Sequence, residues 1–257
     1  MATGLAQPQH LSNVVAAMRA VEANWMALSA QQRCQQIADA VSNALRSLFV
    51  PLPMLQVANL GAGLNGQFDF GPWTLKVSSN MAIGNVQQNA AQRKEVIARL
   101  GDVITHEARH CEQWWRMARL VVGDMRANGV MPSAPVLAGR LGGVSQMVLA
   151  QAIGAPPLTP PEVQEAQAWY ASVYGSGASF RGINAYGRNL RPTGGKFADV
   201  GQQFQSSEFA RYQRGLAEEE DAHQVGREVQ RLYLLGSGIQ PQALVGHRPI
   251  AQGIARY

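Results

Sequence analysis

A mostly helical α+β chain is expected, and three observations lead there. Apolar residues recur at helical spacing from residue 9 to residue 49, and again from Arg93 to Met117 and from Leu216 to Leu235. Between the first two helical stretches lie short strand-like segments broken by Gly, Asn and Pro. At 257 residues the chain suffices for one domain with a sizeable core. We read it as a single domain, 1–257: a helical layer over 1–50, a sheet plus a central helix over 51–122, and loops with a last helix over 123–257.

The amino-terminal layer is two helices. Leu11, Val14, Val15, Met18, Val21 and Trp25 form the first apolar stripe. Ser29-Ala30-Gln31-Gln32 then resembles a capping box opening a second helix through Phe49. Pro51 and Pro53 end the helical run. Met54 to Asn59, Gln67 to Phe70, Trp73 to Ser78 and Met81 to Ile83 follow as strands of a small antiparallel sheet. Such a sheet either offers an edge on which an extended peptide adds as a strand or simply covers the core.

The central stretch, Val103 to Met117, contains His106-Glu107-x-x-His110. Residues four apart on a helix share a face, so both imidazoles can present a nitrogen to one metal ion. Glu107, about 100° round from His106, is the natural general base toward a water at the open metal position. Val96, Ile97, Leu100, Val103 and Ile104 make one apolar stripe leading into the motif, which predicts a half-buried helix. Beyond it, residues 123–161 read as loops with one short helix around Val144 to Ile153. Pro161 begins a helix carrying Glu162, Glu165, Trp169 and Tyr170. An irregular segment from Gly175 to Gly201 carries Arg181, Tyr186, Arg188, Arg191 and Lys196, a basic loop that either binds substrate or is simply solvated.

A catalytic zinc takes three protein ligands and leaves the fourth place open. The metzincin extension would need a Gly and a His where Gln113 and Arg116 stand, so the third ligand comes from elsewhere. The segment Leu216 to Leu235 offers three consecutive glutamates, Glu218, Glu219 and Glu220. Ala222 and Gly226 lie three and seven residues after Glu219 and make a narrow stripe on which another helix can approach. Glu219 is therefore assigned as the ligand, with Glu162, Glu165 and Glu208 as substitutes. Candidate donors to a tetrahedral oxyanion are His223, Tyr186, Tyr212, Arg188 and His247.

His-Glu-x-x-His followed on a later helix by Glu219-x-x-Ala222 resembles the zincin metallopeptidases with a glutamate ligand, the gluzincins, including some bacterial toxin-associated members. The resemblance covers residues 54–235 in order of elements, and in identities the two motifs only. It implies a zincin-like fold, zinc (Zn2+) on His106, His110 and Glu219, Glu107 as base and proton shuttle, and a protein or peptide substrate. Several relatives place Asp four residues after the ligand glutamate; His223 stands there in this chain and is a candidate catalytic residue, orienting a ligand or stabilising the oxyanion. The toxin-associated subset adds two expectations, an exported bacterial effector and an inhibitor or immunity protein as partner. A rival class is a non-catalytic interaction domain with zinc as a staple, against which the retained Glu107 speaks.

Charge and composition exclude other classes. The net charge of +5 comes from nineteen arginines against three lysines, Lys76, Lys94 and Lys196, spread along the chain. A nucleic-acid binder would cluster them with aromatics on one element, so no nucleic-acid partner is expected. Cys34 and Cys111 have no ligand-like spacing and read as free thiols from a reducing compartment. The amino terminus lacks the features of a signal peptide, and no apolar run reaches about eighteen residues. We expect a chain that is cytoplasmic as synthesised, without membrane insertion and compatible with leaderless export.

Overall fold

The computed structural model describes residues 2–60, 65–83, 89–175 and 216–237. The described residues divide into two compact units, one of 2–60, 65–83, 89–115 and 222–237, the other of 116–175 and 216–221. Two helices run through the division: α4 (Ala90–Ala127) and α8 (Ala217–Gly236).

The first unit opens with a 3-10 turn, Gly4–Ala6, and helices α1 (Pro8–Ala23) and α2 (Ala30–Ser47). Leu11, Val14, Val15, Met18 and Val21 are buried along α1, as their spacing predicts. The capping box on α2 is present: Gln32 N–H donates to Ser29 Oγ at 3.2 Å, and Ser29 N–H donates to Gln32 Oε1 at 2.8 Å.

Three strands follow, β1 (Met54–Ala58), β2 (Gly66–Asp69) and β3 (Thr74–Ser78), in the spatial order β1-β3-β2. β2 and β3 pair antiparallel with Phe68 opposite Leu75, but β1 pairs parallel to β3, with Val57 opposite Val77. The sheet is thus mixed where a purely antiparallel one was expected. The chain leaves β1, forms the far edge as β2, and returns between them. Trp73, in the left-handed region at φ 54°, precedes β3; its indole N–H donates to Pro51 O at 2.8 Å and its ring meets Phe68 edge-on at 5.0 Å. A second correction concerns residues 81–83: they belong to a short helix, α3 (Ser79–Ile83), rather than to a strand. Three apolar residues are too few for periodicity to separate the two states.

α4 is longer than the motif implied, and it is not half-buried. Every residue from Val103 to Ala118 is buried, polar ones included. A helix surrounded in this way must satisfy its polar side chains inside the protein. Arg109 and Glu112, 1% and 0% exposed, pair at 2.6 Å. Glu112 Oε2 also accepts Leu5 N–H at 3.0 Å, and Arg109 donates to Thr3 O at 3.2 Å, so this buried pair holds the amino-terminal segment. Phe70 stacks on Trp114 at 5.3 Å. Both cysteines are free and buried; burial pushes the Cys34 thiol up to about 12 against the opposing effect of Arg33, and raises Cys111 well above its ordinary value.

The second unit contains the end of α4, then α5 (Ala134–Arg140), α6 (Gln146–Gly154), α7 (Pro160–Tyr174) and the first residues of α8. The Thr159 N–H and hydroxyl both donate to Glu162 Oε2 at 2.8 Å, capping α7. Arg116, 2% exposed, bonds Glu165 at 2.7 Å and lies 3.5 Å from Glu162. α5 lies in a stretch expected to be loop. No helix among the described residues is long and apolar enough to cross a membrane.

Candidate metal centre

The first unit brings His106, Glu107 and His110 together on α4. Their ligand atoms lie within 4.8 Å of one another, and all three residues are buried. The imidazole Nε2 atoms of His106 and His110 face each other at 3.1 Å. His110 Nδ1 lies 2.8 Å from Gln113 Oε1. An amide oxygen only accepts, so Nδ1 carries the proton, and in the tautomer that bears it there alone Nε2 holds a lone pair toward His106. Trp114 meets the same ring edge-on at 5.9 Å.

These donors fit a metal ion. The two Nε2 atoms, 3.1 Å apart, are close enough for one cation to bind both. A ligating imidazole that gives its other N–H to a buried acceptor is the usual arrangement around such ions. The buried His/Glu group can therefore bind a metal ion.

Glu107 is held by the sheet. Its Oε2 accepts the Phe68 N–H at 2.7 Å, a group on the edge of β2 that faces away from β3. Gly66 makes the approach feasible: a Cβ there would collide with Val103 Cγ1 and lie 2.9 Å from both Cγ and Oε1 of Glu107. The β2 edge thus abuts the helix at this point instead of standing open, while β1 forms the opposite edge.

His223, on the part of α8 that belongs to the first unit, packs against His106 with ring centroids 4.4 Å apart, tilted by 49°. Their ligand atoms lie within 4.8 Å of each other. The small-residue stripe explains the approach. Ala222 is fully buried, and a Cβ at Gly226 would collide with Asp102 Oδ1 and sit 3.3 Å from His106 Cβ. Asp102, one turn before His106, is raised to about 6 by burial, with Arg227 opposing.

Glu219 lies one turn before His223 on the same helix, in the part assigned to the second unit, and among the described residues no group of ligand-type side chains within 4.8 Å of one another joins it to His110. Of the three glutamates, Glu218 is 1% exposed, Glu219 is half-buried and Glu220 is exposed. The substitutes Glu162 and Glu165 are engaged with Arg116 in the second unit. Glu208, Tyr186, Tyr212, Arg188 and His247, like the basic segment carrying Arg181, Arg191 and Lys196, fall outside the described residues.

Sequence reading missed Gln113, Gly66 and the Phe68 N–H. Gln113 left a usable sign, a side chain three residues after His110 on the same helical face. The other two lie on a strand, 41 and 39 residues before Glu107, and left none. Set beside known protein families, curated proteins and solved structures, the chain matches none of them.

Proposed function

We propose that the chain is a zinc-dependent peptidase in which Glu107 is the general base. The observation that carries this reading is the pair of imidazole nitrogens 3.1 Å apart on α4, with the Glu107 carboxylate beside them. His106, His110 and Glu219 would hold the ion. Support for Glu219 comes from its place one turn before His223, the residue that packs on His106. A zinc ion bound there would supply Lewis acidity, lowering the pKa of a water molecule toward about 7 and polarising a carbonyl oxygen.

The chain's own residues do the remaining work. Gln113 keeps His110 in the tautomer whose Nε2 is a donor atom toward a metal. The Phe68 N–H fixes the Glu107 carboxylate, which takes a proton from the attacking water and hands it to the departing amine, a group too basic to leave as an anion. His223 is the candidate second donor to the developing oxyanion. The substrate class, protein or peptide, and the roles of an exported effector and of an inhibitor or immunity partner rest on the resemblance of the two motifs alone.

A second reading, a non-catalytic domain stapled by structural zinc, is favoured by one observation: His223 stands beside His106 as a further ligand-type side chain. Metal content and proteolysis measured together separate the two. In the catalytic reading Glu107→Ala keeps near-stoichiometric zinc and loses turnover, whereas His110→Ala and Glu219→Ala lose metal. Unchanged turnover in Glu107→Ala defeats the catalytic scheme, and full zinc occupancy in Glu219→Ala removes that ligand.

A further inference from the structure

We propose that His223 is a protein ligand of the metal centre, placed there beside His106. The inference rests on the metal-binding reading above and adds a residue to it.

Three observations support it. His223 packs on His106 at 4.4 Å with ligand atoms within 4.8 Å, the reach over which a single cation can gather side chains. It stands four residues after Glu219, so α8 carries an i,i+4 pair of ligand-type side chains just as α4 does with His106 and His110. Gly226, one turn further along α8, removes the side chain that would hold the helix away from Asp102 and His106. A neutral imidazole, with a lone pair on one nitrogen, is the form that ligates a metal. An imidazole nitrogen is a donor type that zinc accepts.

The test is cobalt(II) substitution of the full chain carrying His223→Cys. A thiolate bound to cobalt gives a near-ultraviolet charge-transfer band that nitrogen and oxygen ligands do not. The buried Cys34 and Cys111 are common to parent and variant, so a band present only in the variant reports residue 223. We expect that band, together with a zinc affinity lowered at least tenfold in His223→Ala, measured by competition with a chromophoric chelator. No charge-transfer band in a folded, cobalt-loaded His223→Cys overturns the proposal. His110→Ala distinguishes the two levels: if it loses metal while His223→Cys shows no band, the metal centre stands and His223 is not a ligand. If His110→Ala retains full affinity, both fall.

Discussion

Gln113→Leu offers the sharpest test of how the metal helix is built. Gln113 is fully buried, and its Oε1 accepts the proton on His110 Nδ1 at 2.8 Å. Leucine keeps most of the volume but leaves that N–H without its acceptor in a site closed to water, a loss of about 1–3 kcal/mol of stability. It also frees the ring to exchange its proton to Nε2, the nitrogen that faces His106 at 3.1 Å. Losing an outer partner of a ligating histidine typically weakens metal binding about 10–100-fold, or about 1.4–2.8 kcal/mol. Gln113→Glu should move affinity the other way, because a carboxylate acceptor makes the imidazole a stronger donor atom. Zinc affinity by chelator competition, with thermal unfolding of the metal-free protein alongside, reads both effects. Equal zinc affinities in parent, Gln113→Leu and Gln113→Glu would show that His110 Nε2 is not a donor to the metal, and the centre would have to be rebuilt from other side chains.

Gly66→Ala should push on Val103 and on the Glu107 carboxylate, costing about 1–3 kcal/mol in thermal unfolding and lowering turnover while zinc content stays near that of the parent. Loss of metal instead would mean that β2 supports the histidines and not the base. Glu112→Gln removes the buried charge that faces Arg109 at 2.6 Å and should destabilise the fold by about 3–5 kcal/mol, read by denaturant unfolding; a change under about 1 kcal/mol would show that the pair is not a staple of the amino-terminal segment. Asp102 has its folded-state pKa raised from 3.8 to about 6, so its charged form burdens the native state. The burden is absent below the unfolded value and complete above about 6, so stability falls as pH rises across that window. Asp102→Asn should remove this slope and stabilise the metal-free protein at pH 7 by up to about 3 kcal/mol. A parent and variant with parallel stability–pH curves between pH 4 and pH 7 would refute it.

Local patterns carried much of the outline. The apolar stripe of α1, the Ser29–Gln32 capping box of α2 and the helix bearing His106 and His110 are all written in spacings of three and four residues, and the structure has each of them. The stripe of Ala222 and Gly226 correctly marked where α8 comes close, although Glu218 and not Glu219 is the most buried of the three acids. The sheet was legible only as strands. Whether β1 pairs parallel or antiparallel with β3 depends on which edge the chain returns to, and a five-residue strand looks the same in either case.

The sequence by itself determined that two imidazoles and a carboxylate lie within one helical turn, because a covalent backbone with 3.6 residues per turn leaves no other outcome once the helix forms. Tertiary structure alone decided what each of them faces. Burial of Val103 to Ala118 on every side of α4 forced its polar groups to find partners, and those partners, Phe68 N–H for Glu107, Leu5 N–H for Glu112 and the His223 ring for His106, lie 39, 107 and 117 residues away along the chain. No spacing rule reaches that far; only the packing of distant segments into one low-dielectric interior, where an unpartnered polar atom is costly, sets them in place.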